Sequence, residues 1–184
     1  MKYEITNEKK LVNGLTLYRI KALKNFSKVR AGDLGGWIEG ELNLSQEGNA
    51  WVTGDAQVYG KARVYGDALV YGKALVYGKA KVAGNAKVYG DSVVYGDAKV
   101  FGDAWVYGNA WVSGDAQVSG KAWVYGDAEV FGNARVSGDA EVSGNAQVYG
   151  DALVSGNARV SEDAEVSGNA KVYGDALVFG NGKK

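Results

Sequence analysis

The side chains of this sequence that could do chemistry are carboxylates, lysines, arginines and hydroxyls, because its 184 residues include no His and no Cys. That removes the ordinary zinc ligands and the one side chain that titrates near neutral pH unaided. What remains recurs on a fixed spacing. From Asn49 to Asn181, Asp, Asn or Lys follows the corner residue every six positions. A turn carboxylate facing water has no cause to shift its pKa toward neutrality, so these Asp make poor general bases. Calcium-binding solenoids converge carboxylates in Gly-Gly-x-Gly-x-Asp nonads, whereas here Asp alternates with Asn and Lys, which points to isolated turn residues. A flat, Thr-rich ice-binding face is also lacking, since Thr occurs only at Thr6, Thr16 and Thr53.

The elements that position these residues are short and identical. From Gly48 to Phe179 the chain is one hexad, Gly-Asp/Asn/Lys-Ala-x-Val-Tyr/Ser, repeated 22 times without insertion. The fifth position is Val throughout, the third is Ala except at Ser92, and the first is Gly except at Glu162. Gly followed by Asp or Asn tolerates positive φ and supplies a corner. Ala and Val two residues apart share one face of an extended strand, so they point inward while the fourth and sixth positions point out. Each unit is therefore a strand plus a corner. Stacked units form an all-β solenoid whose Ala/Val interior is narrow and dry, which puts any binding on the outer faces.

Three hexads per coil predict that residues 18 apart stack at roughly 4.8 Å. On that step the second position reads Asn49, Asp67, Asn85, Asp103, Lys121, Asp139, Asn157, Asp175 along one edge, with no Asp over another Asp. Only the third edge carries such a pair, Asp97 and Asp115. Like charges at that spacing repel by about a kcal/mol, so the alternation favours a triangular coil. The 22 hexads then make a little over seven coils, a rod roughly 35 Å long.

Sorted the same way, the fourth position gives three unlike faces. The first carries Trp51, Leu69, Lys87, Trp105, Trp123, Glu141, Arg159 and Leu177, and the second Leu75, Val93, Trp111 and Glu129 among others. The third holds five of the seven basic residues at this position, including Arg63, Lys81 and Lys99, with Lys61 and Lys79 in the adjoining corners. At the sixth position Tyr71, Tyr89, Tyr107 and Tyr125 form one ladder and Tyr59, Tyr77 and Tyr95 another. Stacked rings of this kind cover coil edges. Trp105, Trp111 and Trp123, with Leu69, Leu75 and Val93, make an apolar surface of the sort that marks an interface. The basic strip with its aromatic edges is a candidate for a phosphate-bearing ligand such as a nucleotide.

Residues 1–35 lack the repeat and are expected to cap the first coil, with the solenoid running over 36–182. Asn13-Gly14 between apolar flanks signals a hairpin, continued as a strand through Leu15 and Leu17. The stretch after Gly35 keeps partial phase, with Ile38 and Leu44 at the Ala position. At the other end only Lys183 and Lys184 guard against end-to-end stacking. Net charge is zero, from 21 acidic and 21 basic residues, so no bulk pull toward nucleic acid or anionic membrane exists. No run is long or apolar enough for a membrane span, and the N-terminus lacks a signal-like apolar segment, which makes a cytoplasmic location the expectation.

The hexads resemble the hexapeptide-repeat, left-handed parallel β-helix family, the trimeric LpxA-like proteins, over about three quarters of the chain. Left-handedness follows from that resemblance alone, since the general crossover rule favours the right hand. The stretch Phe26-Ser27-Lys28-Val29-Arg30-Ala31-Gly32-Asp33-Leu34-Gly35-Gly36-Trp37-Ile38, followed by Asn43-Leu44-Ser45, resembles the N-terminal signature of bacterial and phage hexapeptide proteins usually labelled acyltransferases. Acyltransferases of that fold generally use a His base, and its carbonic anhydrases bind zinc through three His. With no His here, the expectation is a non-catalytic module without metal or cofactor that self-associates, as a trimer by the resemblance. Protein binding, nucleotide binding on the basic face and acyl transfer are the competing readings.

Overall fold

The computed structural model describes residues 1–180, and Asn181, Lys183 and Lys184 lie outside them. Two-residue strands, each made of a fourth-position residue and its Val, stack into three parallel sheets. Trp105 pairs with Lys87 and Trp123, Trp111 with Val93 and Glu129, and Lys99 with Lys81 and Gln117, each step being 18 residues. The coil is thus three-sided, and the three faces are those sorted from the fourth position. No α-helix occurs among the described residues.

Hydrogen bonds run from coil to coil at every edge. The N–H groups of Trp105, Tyr107 and Asn109 donate to the carbonyls of Ala122, Val124 and Gly126 at 2.9, 3.0 and 2.8 Å. Backbone groups are therefore paired inside the rod, and Ala and Val side chains fill it, fully buried from Ala50 to Val160. Ser92, the one polar intruder, donates its hydroxyl to the Tyr89 carbonyl at 2.9 Å. Glycine at the corners is required twice over. At Gly108 φ is +72°, and a Cβ there would lie 3.0 Å from the backbone N of Gly126 in the next coil.

The N-terminal end is closed. Strands β1 (Tyr3–Val12) and β2 (Leu15–Ala22) form an antiparallel hairpin across Asn13 and Gly14, both at positive φ. β2 pairs with β3 (Leu34–Ile38), which pairs in parallel with the Gln57–Val58 strand and so carries the hairpin into the second-face sheet. Lys2 and Tyr3 are buried over the end of the interior. The Lys2 ammonium donates to the Ala50 carbonyl at 2.8 Å, and the Tyr3 hydroxyl to that of Leu44 at 2.7 Å. Burial lowers the Lys2 pKa to about 8, with Lys24 pushing the same way, and raises that of Tyr3 to about 12.

The phase expected for the first coil is corrected here. Ile38 stands opposite Val58 and Leu44 opposite Val64, a step of 20, so both occupy the Val position rather than the Ala position. By Trp51, which pairs with Leu69, the step is 18 again. The two extra residues lie in the corner after Leu44, where the Gln46 side chain accepts from the Lys2 N–H at 2.7 Å and donates to the Tyr3 carbonyl at 3.1 Å. The irregular corner exists to hold the cap.

Candidate interface on the aromatic faces

Each aromatic ladder follows from the 18-residue step, since a flat ring every 4.8 Å stacks on the ring below it. Tyr71, Tyr89, Tyr107 and Tyr125 stack with centroid separations of 4.6, 4.9 and 5.0 Å along the corner between the first and second faces. Tyr59, Tyr77 and Tyr95 stack at 5.1 and 5.2 Å along the next corner. Burial raises the pKa of Tyr59, Tyr71, Tyr77, Tyr89 and Tyr107, with a neighbouring ring adding to the effect at all but Tyr89, and that of Tyr107 reaches about 12 with Glu141 contributing. These five remain neutral donors over the whole physiological range.

Trp105 and Trp123 stack at 5.4 Å in the middle of the first face. Lys87 places its ammonium 4.3 Å from the Trp105 ring, on the side away from Trp123. Trp111, on the second face, meets Tyr95 edge-on at 6.4 Å and is 49% exposed, while Trp123 is 38% exposed. Leu69, Leu75, Val93 and Trp105 are half-buried, so the patch centres on the indoles rather than on the aliphatic residues. Trp51 departs from its expected outward place. It is buried under the cap, against Phe26 at 5.3 Å and Tyr3 at 6.3 Å.

The indole pair opens into a shallow groove lined by Asp103, Lys121, Asp139 and Glu141 as well. The sequence reading placed Glu141 on this face but not Asp103, Lys121 and Asp139 beside the indoles, because it sorted the corner residues for stacking alone. Joining the second position to the fourth on the same step would have shown them. Glu141 also accepts from the Tyr125 hydroxyl at 3.4 Å and faces Arg159 at 3.6 Å.

On the third face Arg63, Lys81 and Lys99 stand in register on consecutive coils, all exposed. None of the three has a carboxylate within 4.0 Å among the described residues. Lys61 is exposed in the adjoining corner, and Lys79 pairs with Asp97 at 3.4 Å, which takes one of the five cations out of a free strip. The corner Asp are engaged along the rod. Asn85, Asn109, Asn133, Asn145 and Asn157 each donate a side-chain amide to the Asp one coil on, at 2.8 to 2.9 Å. Among the described residues no three carboxylates converge to hold a metal ion.

Three segments, residues 62–78, 104–120 and 146–162, match the family model described as the YdcK beta solenoid repeat. Each begins at an inward Ala and spans just under one coil. Comparison with curated proteins gave no match.

Proposed function

We propose that the protein is a non-catalytic β-solenoid whose work is assembly, with the aromatic faces as its self-association surface. The observation that carries this is the stacked Trp105–Trp123 pair beside the exposed Trp111, three indoles on positions where most hexads carry polar or aliphatic residues. Burying an indole against a partner is worth several times what a scattered aliphatic contact gives, and interface cores are enriched in Trp and Tyr. The left-handed winding implied by the hexapeptide resemblance belongs to the same proposal, whereas the trimer that the resemblance implies is one of several ways in which these faces could associate. The acyl-transfer reading implied by the N-terminal signature has no His to serve as base.

Replacing Trp123 with Ser removes exposed apolar surface and leaves the interior untouched. Association measured by sedimentation velocity should weaken at least tenfold while the circular dichroism of the folded rod is unchanged. Unchanged association would remove the indole pair from the interface. A second reading has its own observation: the unneutralised stack of Arg63, Lys81 and Lys99 repels itself, and a bound polyphosphate would relieve that repulsion. Calorimetric titration with a nucleoside triphosphate tests it, and absence of heat rejects it.

A further inference from the structure

The first face is complementary to itself when turned end over end, and we propose that it is the interface of an antiparallel two-fold dimer with a second copy of this chain. The proposal rests on the self-association reading above and specifies its partner and geometry. The eight strands of this face run from Trp51–Val52 to Leu177–Phe179, and their midpoint falls between Trp105 and Trp123. A two-fold axis lying in the interface along the strands, through that midpoint, reverses height along the rod and preserves position along each strand. Every residue then meets the one equally far on the other side of the midpoint.

The pairs so formed follow from the sheet register. Trp105 meets the partner's Trp123, and Lys87 meets the partner's Glu141. Lys87 lies one strand before Trp105 and Glu141 one strand after Trp123, so the two are mirror positions about the indole pair. Along the corner preceding this face, Asp103 meets Lys121, Asn85 meets Asp139, Asp67 meets Asn157 and Asn49 meets Asp175, so no like charges are opposed. Along the other corner the bulky Tyr71 and Tyr89 meet the small Ser161 and Ser143. Opposite charges or unlike volumes thus meet at most of these positions, Leu69 opposite Arg159 and Tyr107 opposite Tyr125 being the exceptions.

The alternative face-to-face arrangement, with the two rods parallel about a two-fold along the rod, sets Lys87 on Lys87, Glu141 on Glu141 and Arg159 on Arg159, three repulsive contacts. The second face offers no pair of opposite charges under the same operation, since turning it about Trp111 opposes Val93 to Glu129, Leu75 to Gln147 and Gln57 to Glu165. Isologous two-fold contacts are the commonest way for a soluble chain to close an assembly. The six strands from Leu69 to Arg159, clear of the cap that covers Trp51, lie at about 4.8 Å, present about four residues each and cover roughly 350 Å² per copy, or roughly 700 Å² in all. That is below the standard size of stable interfaces, so association should be weak and reversible, appearing at tens of micromolar and above.

Sedimentation equilibrium over a concentration series tests it on the full chain. Lys87→Glu and Glu141→Lys should each weaken dimerisation at least tenfold, and the double exchange should recover most of it. Because the chain has no Cys, Lys87→Cys and Glu141→Cys proteins can be mixed and treated with a short bismaleimide. Crosslinks are expected between the two variants, with few within either one alone. Crosslinking of Lys87→Cys to itself, a trimeric mass, or single exchanges without effect would overturn the antiparallel dimer while leaving self-association standing. A monomer at every concentration would remove both.

Discussion

Glu162 is the one hexad corner that is not Gly, and it holds the left-handed conformation that the corner glycines hold. At each Gly the added carbon would point toward the next coil, as at Gly120, where it would meet the Gly138 backbone at 2.8 Å. At Gly168 and Gly174 nothing among the described residues lies within 4 Å. Glu162, with φ at +59°, opens the same last described turn, and Gly180 one coil on donates its N–H to the Ser161 carbonyl at 3.3 Å. The left-handed conformation costs Glu162 about 1 kcal/mol, and Glu162→Gly should recover that amount. Gly168→Ala should cost about the same. Gly120→Ala adds a backbone clash and should cost about 3 kcal/mol or more, read as a fall in melting temperature. The sequence shows which corner breaks the rule, but not how costly a Cβ is at each corner, since that depends on which backbone stands beyond it.

At the scale of the elements, the hexad was legible because its period, its inward pair and its corner chemistry all state the same strand-plus-corner unit. The 18-residue step was legible from corner charges, yet repulsion avoided is only part of their role. Asn109 donates to Asp127 at 2.8 Å, so the alternation also builds hydrogen bonds. Asn109→Asp removes that bond and opposes two carboxylates, and should destabilise by about 1 kcal/mol at low salt, less as salt rises. The cap was legible at Asn13-Gly14 and hidden elsewhere. Lys2, Tyr3 and Gln46 act across more than forty residues of sequence, and the two extra residues after Leu44 shift Ile38 and Leu44 into the Val register.

The cap also sets a pH dependence. Lys2 has a folded pKa near 8, below its ordinary value of 10.5, so above pH 8 the unfolded chain holds a proton that the folded one has shed. Stability therefore rises with pH from about 8. Tyr3 and Tyr107 reverse the sign, because their folded pKa values near 12 lie above the ordinary 10.0, and above pH 10 the folded chain retains protons that the unfolded one loses. Thermal melting across pH 7 to 12 should show a maximum near pH 10, and Lys2→Met should abolish the rise on its acid side.

For the whole molecule, the three faces were legible in outline, because the step that stacks the coils also sorts the outward residues. Which of those residues are free was not. Trp51 reads as one more surface indole until the cap covers it, Lys79 reads as a free cation until Asp97 is seen beside it, and the charged rim of the indole groove appears only when corner and strand residues are placed together. The rod has a closed interior, and its surface chemistry divides into an aromatic pair of faces and a basic one. The proposed assembly through the first face would account for the opposite charges of Lys87 and Glu141 on either side of the indole pair, which stability of a single rod does not demand. The decisive measurement is the mass of the unmodified 19.4 kDa chain by sedimentation equilibrium at tens of micromolar. A species of two chains that dissociates on dilution is the expected result, and a single chain at every concentration would contradict it.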